Sequence, residues 1–356
     1  MKPTKNKMPK KGKTFKKKGK TFKKKGKTFK KKGKTFKKKG KTFKGGEGES
    51  ELLDWIDENR LISASLSANP RSMAIDLLKK RINTLGIDNV DINWDALSYN
   101  PTAEAIQLLK DYPAKISFNG WHNLSLNPTA EAIALLKAYN KINVSWLSSN
   151  QNAEAIALLK DHPDKIRWYA LSQNPAAEAI QMLKENPDEI DWNALSRNTN
   201  AEAIQMLKEN PDEIDWDELL GNPSAIDLLR ENPNKIDWDL FSQNPNANKL
   251  ITADHFDDLD WSELSYQPNA IDLLTANQDR INWTNLSLNP NAIDLLTANQ
   301  DRIDWTNLSL NPNAMNLLAA NQARIDWHNL SRNPGIFTVG YKGYRPSIPP
   351  PSLTGS

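Results

Sequence analysis

An asparagine, in most copies followed by proline and then by a short alanine-containing apolar run, returns at 69, 100, 127, 150, 174, 198, 222, 244, 267, 289, 311 and 333, with Gln267 the one substitution. Nothing else in the chain restricts its fold as much. After intervals of 31 and 27 residues the spacing settles at 22 to 24. A unit that short offers too few apolar side chains to bury a core alone, so each copy must share its apolar face with its neighbours.

Inside one unit, Asn174-Pro175 reads as a helix N-cap followed by a proline at the first helical position. Ala179, Ile180 and Leu183 lie three and four apart, the period of an amphipathic helix. Pro187 ends that helix, and Asp191 caps a short second one that carries Trp192 and Leu195. Later units, such as the one opening at Asn289, lack a Glu-Ala insertion, which predicts a shorter first helix. The reading is an all-α fold: an α-solenoid of about twelve 22–24-residue helix-pair repeats over residues 51–338. Residues 1–44 form a disordered Lys-rich tail, 45–50 a linker, and 339–356 a disordered Pro-rich end. As an open array with helices 8 to 10 Å apart, twelve units extend on the order of 100 Å. Leu52, Leu53, Trp55 and Ile56 predict a helix that caps the exposed first end.

Trp94, Trp121, Trp168, Trp192, Trp216, Trp238, Trp261, Trp283, Trp305 and Trp327 share one phase of the unit; Trp146 is two positions out, and Ser63 stands where the first unit lacks one. One bulky aromatic per unit at an apolar helical position reads as a core ladder before it reads as a binding stripe. The asparagines read as caps, and the carboxylates, Glu178, Asp188, Glu202, Asp212, Asp272 and Asp294 among them, as a solvated face. Triplets such as Asn285-Leu286-Ser287 belong to the repeat rather than to glycosylation.

The tail repeats Gly-Lys-Thr-Phe-Lys-Lys-Lys four times in full, with a fifth copy ending at Lys44. One aromatic per heptad makes no coiled-coil seam, and glycine in every copy opposes a helix. Gly19-Lys20-Thr21 ends like a phosphate loop, yet Thr14 stands where that loop needs its first glycine. Lysine blocks release counterions from phosphates, and spaced phenylalanines stack on unpaired bases, so nucleic acid is the first reading. The candidate contacts are Lys13, Phe15, Lys16, Lys17, Lys18, Lys20, Phe22, Lys23, Lys24, Lys25, Lys27, Phe29, Lys30, Lys31, Lys32, Lys34, Phe36, Lys37, Lys38, Lys39, Lys41, Phe43 and Lys44. An anionic membrane is the alternative partner, and nuclear import or a merely solubilising extension is a third use.

Charge separates the two parts. Residues 1–44 hold 23 lysines and no acid, whereas residues 45–356 hold 24 basic residues and all 43 acidic ones, a balance of −19. The chain has no cysteine, so thiolate chemistry, disulfides and cysteine-ligated metals are excluded. His122, His162, His255 and His328 are too dispersed for a metal site, and no carboxylate pair departs from the repeat pattern, so no enzyme, cofactor or small-molecule substrate is expected. Without a signal-peptide core or a membrane-spanning run, the protein is expected inside the cell and not secreted.

The grammar Leu-Ser-x-Asn-Pro-x-Ala-Ile-x-Leu-Leu with Ile-Asp-Trp, as in Ile281 to Leu296, resembles helical repeat proteins encoded by large DNA viruses of algae and protists. The resemblance covers residues 61 to 338, and Asn333-Pro334-Gly335-Ile336-Phe337 looks like the usual end of such arrays. It implies a viral origin, a helical array, and a place in host cytoplasm, nucleus or virion, but no activity. The expected function is a non-enzymatic scaffold whose acidic solenoid binds a protein and whose tail tethers it to nucleic acid. The alternative is a membrane-associated scaffold or a nuclear-targeted adaptor.

Overall fold

The chain divides into two units, Met1–Gly46 and Glu47–Ser356. The computed structural model describes residues 51–338, all within the second unit. They form an all-helical α-solenoid of short repeated helix pairs, each packed on its neighbours.

The unit after Asn174 gives the pattern. Its first helix, Ala177–Glu185, buries Ala179, Ile180, Met182 and Leu183. Asn186, the residue before Pro187, leaves the helical region at φ −134°, ψ 66°, as a pre-proline residue must. A 3-10 turn, Pro187–Glu189, then leads to the second helix, Trp192–Ser196, whose N-cap is Asp191. Where the proline is missing the bend survives: Asn277, before Gln278, sits at φ −133°, ψ 54°, and its Nδ2 donates to the Leu273 carbonyl at 2.8 Å. Asn186 makes the same bond to the Met182 carbonyl at 2.8 Å, so the side chain holds the bend with or without the proline. Units without the Glu-Ala insertion shorten the first helix from nine residues, as in Ala177–Glu185, to six, as in Ile293–Ala298.

Apart from Asn333, whose side chain caps the closing 3-10 turn Pro334–Ile336, the repeat asparagines are not the N-caps expected of them. Asn174 lies two residues before the true N-cap position, Ala176, and Pro175 stands outside the helix. Elsewhere the cap is a side chain at that later position: Thr102 accepts from the Ala105 N–H, and Asn200 from the Glu202 N–H. Asn174 is buried, and its Oδ1 accepts from the Ala176 N–H in a local turn. Its Nδ2 donates backwards to two carbonyls of the previous unit, Ser148 at 3.1 Å and Asn150 at 2.8 Å. Asn198 repeats this on Ser172 and Asn174, and Asn222 on Ser196 and Asn198. A buried ladder of amides therefore satisfies the carbonyls that each second helix leaves open at its C-terminus. Gln267 keeps the ladder with one bond, to the Gln243 carbonyl.

The ladder has no end. Asn69, in the first unit, donates to the carbonyls of Ser331 and Asn333 in the last, both at 3.0 Å. Serine repeats the closure: the Asp304 N–H donates to Ser287 Oγ across an internal junction, and the Ile62 N–H donates to Ser331 Oγ across the seam. First and last helices meet in the register of every other pair, so the array is a closed ring. The length expected of an open solenoid is here a circumference.

Closure also explains the first segment. Residues 51–57 are not the predicted capping helix; Leu52 pairs antiparallel with Phe337, and the Leu53 N–H donates to the Ile336 carbonyl at 2.9 Å. An open end needs a cap, whereas here each terminal unit covers the other. Ile56, Ile336 and Phe337 are buried in the join. Gly335 is required by the junction just before the seam, where a Cβ would lie 2.4 Å from the Pro312 carbonyl oxygen.

The irregular intervals have local causes. The long Ser72–Leu85 helix and the turn Ile87–Asn89 fill the 31-residue interval, with Gly86 at φ 84° between them. In the next unit the second helix, Phe118–Leu126, gains a turn at its start and leaves Phe118 77% exposed. After Asn244 the apolar run Ala-Ile-x-Leu-Leu is broken by Asn248 and Lys249, and two 3-10 turns, Ala247–Lys249 and Ala253–His255, stand in place of the first helix.

Candidate functional site

The nucleic-acid candidates of the tail, Lys13 to Lys44, lie outside the described residues. The ring offers two surface features of its own, the tryptophan row and the carboxylates.

The tryptophans are half-buried against the core rather than inside it. The leucine three residues on, such as Leu195 after Trp192, is the fully buried member of the second helix. Most indoles meet a cation from the next unit. The guanidinium of Arg280 lies 5.4 Å from the Trp261 ring centroid, Arg302 5.0 Å from Trp283, and Arg324 4.9 Å from Trp305. Lys141 and Lys235 sit over Trp121 and Trp216 at 5.9 and 5.5 Å. Across the seam Arg60 covers Trp327 at 4.0 Å. Each of these cations stands nine residues before the next repeat asparagine. That regular Lys or Arg is written in the sequence, but its meaning lies in the junction between two units and not in the apolar phase of either one.

Two tryptophans use other partners: Trp94 packs on Tyr112, and Trp238 stacks on His255 at 3.6 Å. In the first unit, where Ser63 replaces tryptophan, Arg81 reaches back to Ser63 Oγ and to the carbonyls of Glu58 and Leu61. Trp146, out of phase, meets His122 at 3.7 Å, edge to face. Burial first, and Arg167 second, hold the His122 imidazole below its ordinary pKa, and its Nδ1 is buried without a hydrogen-bond partner.

The carboxylates are unevenly spread. Residues 51–338 carry 41 acidic and 22 basic side chains, and 20 of the acids fall within residues 185–263 against only five of the bases. Some of them serve the scaffold. Asp191, Asp215, Asp237 and Asp260 cap second helices, where a carboxylate also complements the helix dipole. Glu202 and Glu218 pair with Lys184 and Arg197 of the preceding unit. The Glu218 carboxylate, hydrogen-bonded to the Arg197 guanidinium, raises its pKa further. These pairs are exposed and contribute at most about 1 kcal/mol each. Others, such as those in Pro187-Asp188-Glu189 and Pro211-Asp212-Glu213, are solvent-facing.

Among the described residues, no three histidine, aspartate or glutamate side chains converge as a metal site requires, and no helix is long and apolar enough to cross a membrane. His122, His162, His255 and His328 stay in separate units, and His328 Nδ1 meets Ser65 Oγ at the seam, 2.9 Å away. Asn285, in one of the Asn-x-Ser triplets, spends its Nδ2 on the Ser262 carbonyl and hydroxyl. Comparison with protein-family models, with curated proteins and with solved structures found no match for this chain. The fold and its surface define a helical repeat protein of the α-solenoid class, closed on itself.

Proposed function

We propose that this protein is a non-catalytic adaptor: its acidic ring docks a protein partner, and its lysine tail tethers that assembly to nucleic acid. The observation that carries the proposal is the segregation of charge, 23 lysines in residues 1–44 against a balance of −19 in the rest of the chain. A polycation meets phosphates without sequence preference, while a repeat surface of opposite sign repels phosphate and takes other partners. The repeat grammar adds a setting, in cells infected by a large DNA virus or in its particles.

The tail is tested by titrating the full chain against duplex and single-stranded DNA over a range of salt. With about ten lysines engaged at once, the slope of log affinity against log salt is near −9 on duplex DNA. Alanine in place of Phe15, Phe22, Phe29, Phe36 and Phe43 weakens single-strand binding more than duplex binding, because stacking needs unpaired bases. Binding to anionic vesicles without binding to DNA at low salt would replace the tether with a membrane anchor.

A further inference from the structure

Nine residues before the repeat asparagine, the chain places Arg60, Lys141, Lys235, Arg280, Arg302 and Arg324, and each covers the tryptophan of the preceding unit. At the same position the junctions behind Trp168 and Trp192 carry Glu189 and Glu213. A carboxylate cannot take the cation's place, because the face of an indole carries negative charge in its quadrupole and attracts only cations. Nearby bases are engaged elsewhere, Lys184 with Glu202 and Arg197 with Glu218. No described cation lies over either ring. Two adjacent units therefore repeat the geometry that holds a cation six times in this molecule, with the cation replaced by an acid.

We infer that Trp168 and Trp192 are paired sites for the cationic side chains of a partner protein, two arginines or lysines in one extended segment, held between the indole face and Glu189 or Glu213. The inference rests on the proposal that the ring docks a protein, and it names where and by what chemistry. The helices Trp168–Gln173 and Trp192–Ser196 pack directly on each other. At a helix spacing of about 8 to 10 Å, and about 3.3 Å per residue of extended chain, the two cations are two or three residues apart. The surrounding excess of acid in residues 185–263 draws such a segment in and rejects acidic ones.

The test uses the full chain and a fluorescein-labelled Gly/Ser dodecapeptide with two arginines three residues apart, read by anisotropy, beside the same peptide with two neutral citrullines. The arginine peptide binds about tenfold more tightly than the citrulline peptide. Glu189→Arg with Glu213→Arg supplies each indole with an internal cation, as Arg302 does for Trp283, and removes that preference. Glu185→Arg with Glu209→Arg makes the same charge change in the same two units and keeps it. Equal losses in both double variants, or no preference in the unaltered chain, would overturn the paired sites in favour of diffuse charge or of no site. Ring docking is scored separately by mapping cross-links from the ring to cellular proteins. Cross-links lost in Glu189→Arg with Glu213→Arg support the sites. Cross-links that persist there overturn the sites while leaving docking intact, and the absence of cross-links from every face overturns both.

Discussion

Asn198→Asp is expected to lower the stability of the ring by roughly 2 to 6 kcal/mol, the cost of leaving two buried carbonyls without donors. Asn198 is fully buried, and its Nδ2 supplies both bonds, to Ser172 at 2.8 Å and to Asn174 at 2.9 Å. The aspartate keeps the shape and the local turn to the Asn200 N–H but turns an acceptor towards two acceptors and buries a charge, which adds to the loss. Asn198→Gln is milder, since Gln267 stands in the same ladder with a single bond. Urea melts of the three proteins rank them. An aspartate variant that melts with the unaltered chain would mean that the amides are not the joints between units.

Phe337→Ala is the second large effect, at about 3 to 5 kcal/mol for a buried aromatic. Phe337 is 4% exposed and pairs with Leu52, so its loss falls on the seam. In a linear array, stability is a sum over neighbours, and the terminal units fray first. A ring has no terminal unit until its seam opens. Hydrogen exchange in Phe337→Ala is therefore expected to rise in residues 51–69 and 311–337 before it rises near Asn198. Uniform acceleration would place the damage in the general core instead.

The helical period, the second-helix caps and the shortening of later units were legible because each follows from residue type and spacing within a single unit. Asp191 before Trp192 is one such local signal, and the structure keeps it. What escaped were relations between units. The Asn-Pro pair has the chemistry of a cap, yet burial between two second helices gives Asn174 more partners than a helix start provides, and the cap moves two residues on. Tryptophan looked like core because its phase is apolar, but a half-buried indole under an arginine is a joint. Leu52 and Leu53 looked like a terminal cap because no periodicity announces curvature. Closure depends on the small rotation from each unit to the next, which accumulates over twelve units and is written in no one of them. The seam does leave a trace: Arg60-Leu61-Ile62 repeats the phase of Arg302-Ile303-Asp304, although nothing precedes it in the array for Arg60 to cover except the last unit. Of the candidate sites, the tail was readable from charge alone. Glu189 and Glu213 became meaningful only beside the junctions that hold cations, and beside Asp258, whose junction covers Trp238 with His255 instead.

The closed ring itself is tested most directly by Glu51→Cys with Thr338→Cys in a chain that has no cysteine of its own. The Thr338 N–H donates to the Glu51 carbonyl at 2.6 Å, and the Glu51 N–H donates to Thr338 Oγ1 at 2.8 Å, although 287 residues separate them. Opposed residues of an antiparallel pair lie about 5.5 Å apart at Cα, within the span of a disulfide. Mild oxidation of the dilute protein is expected to give an intramolecular disulfide in nearly every monomer, seen as faster migration on a non-reducing gel and as the loss of both thiols. Thiols that stay free, or that link only chain to chain, would contradict the ring and return the molecule to an open solenoid.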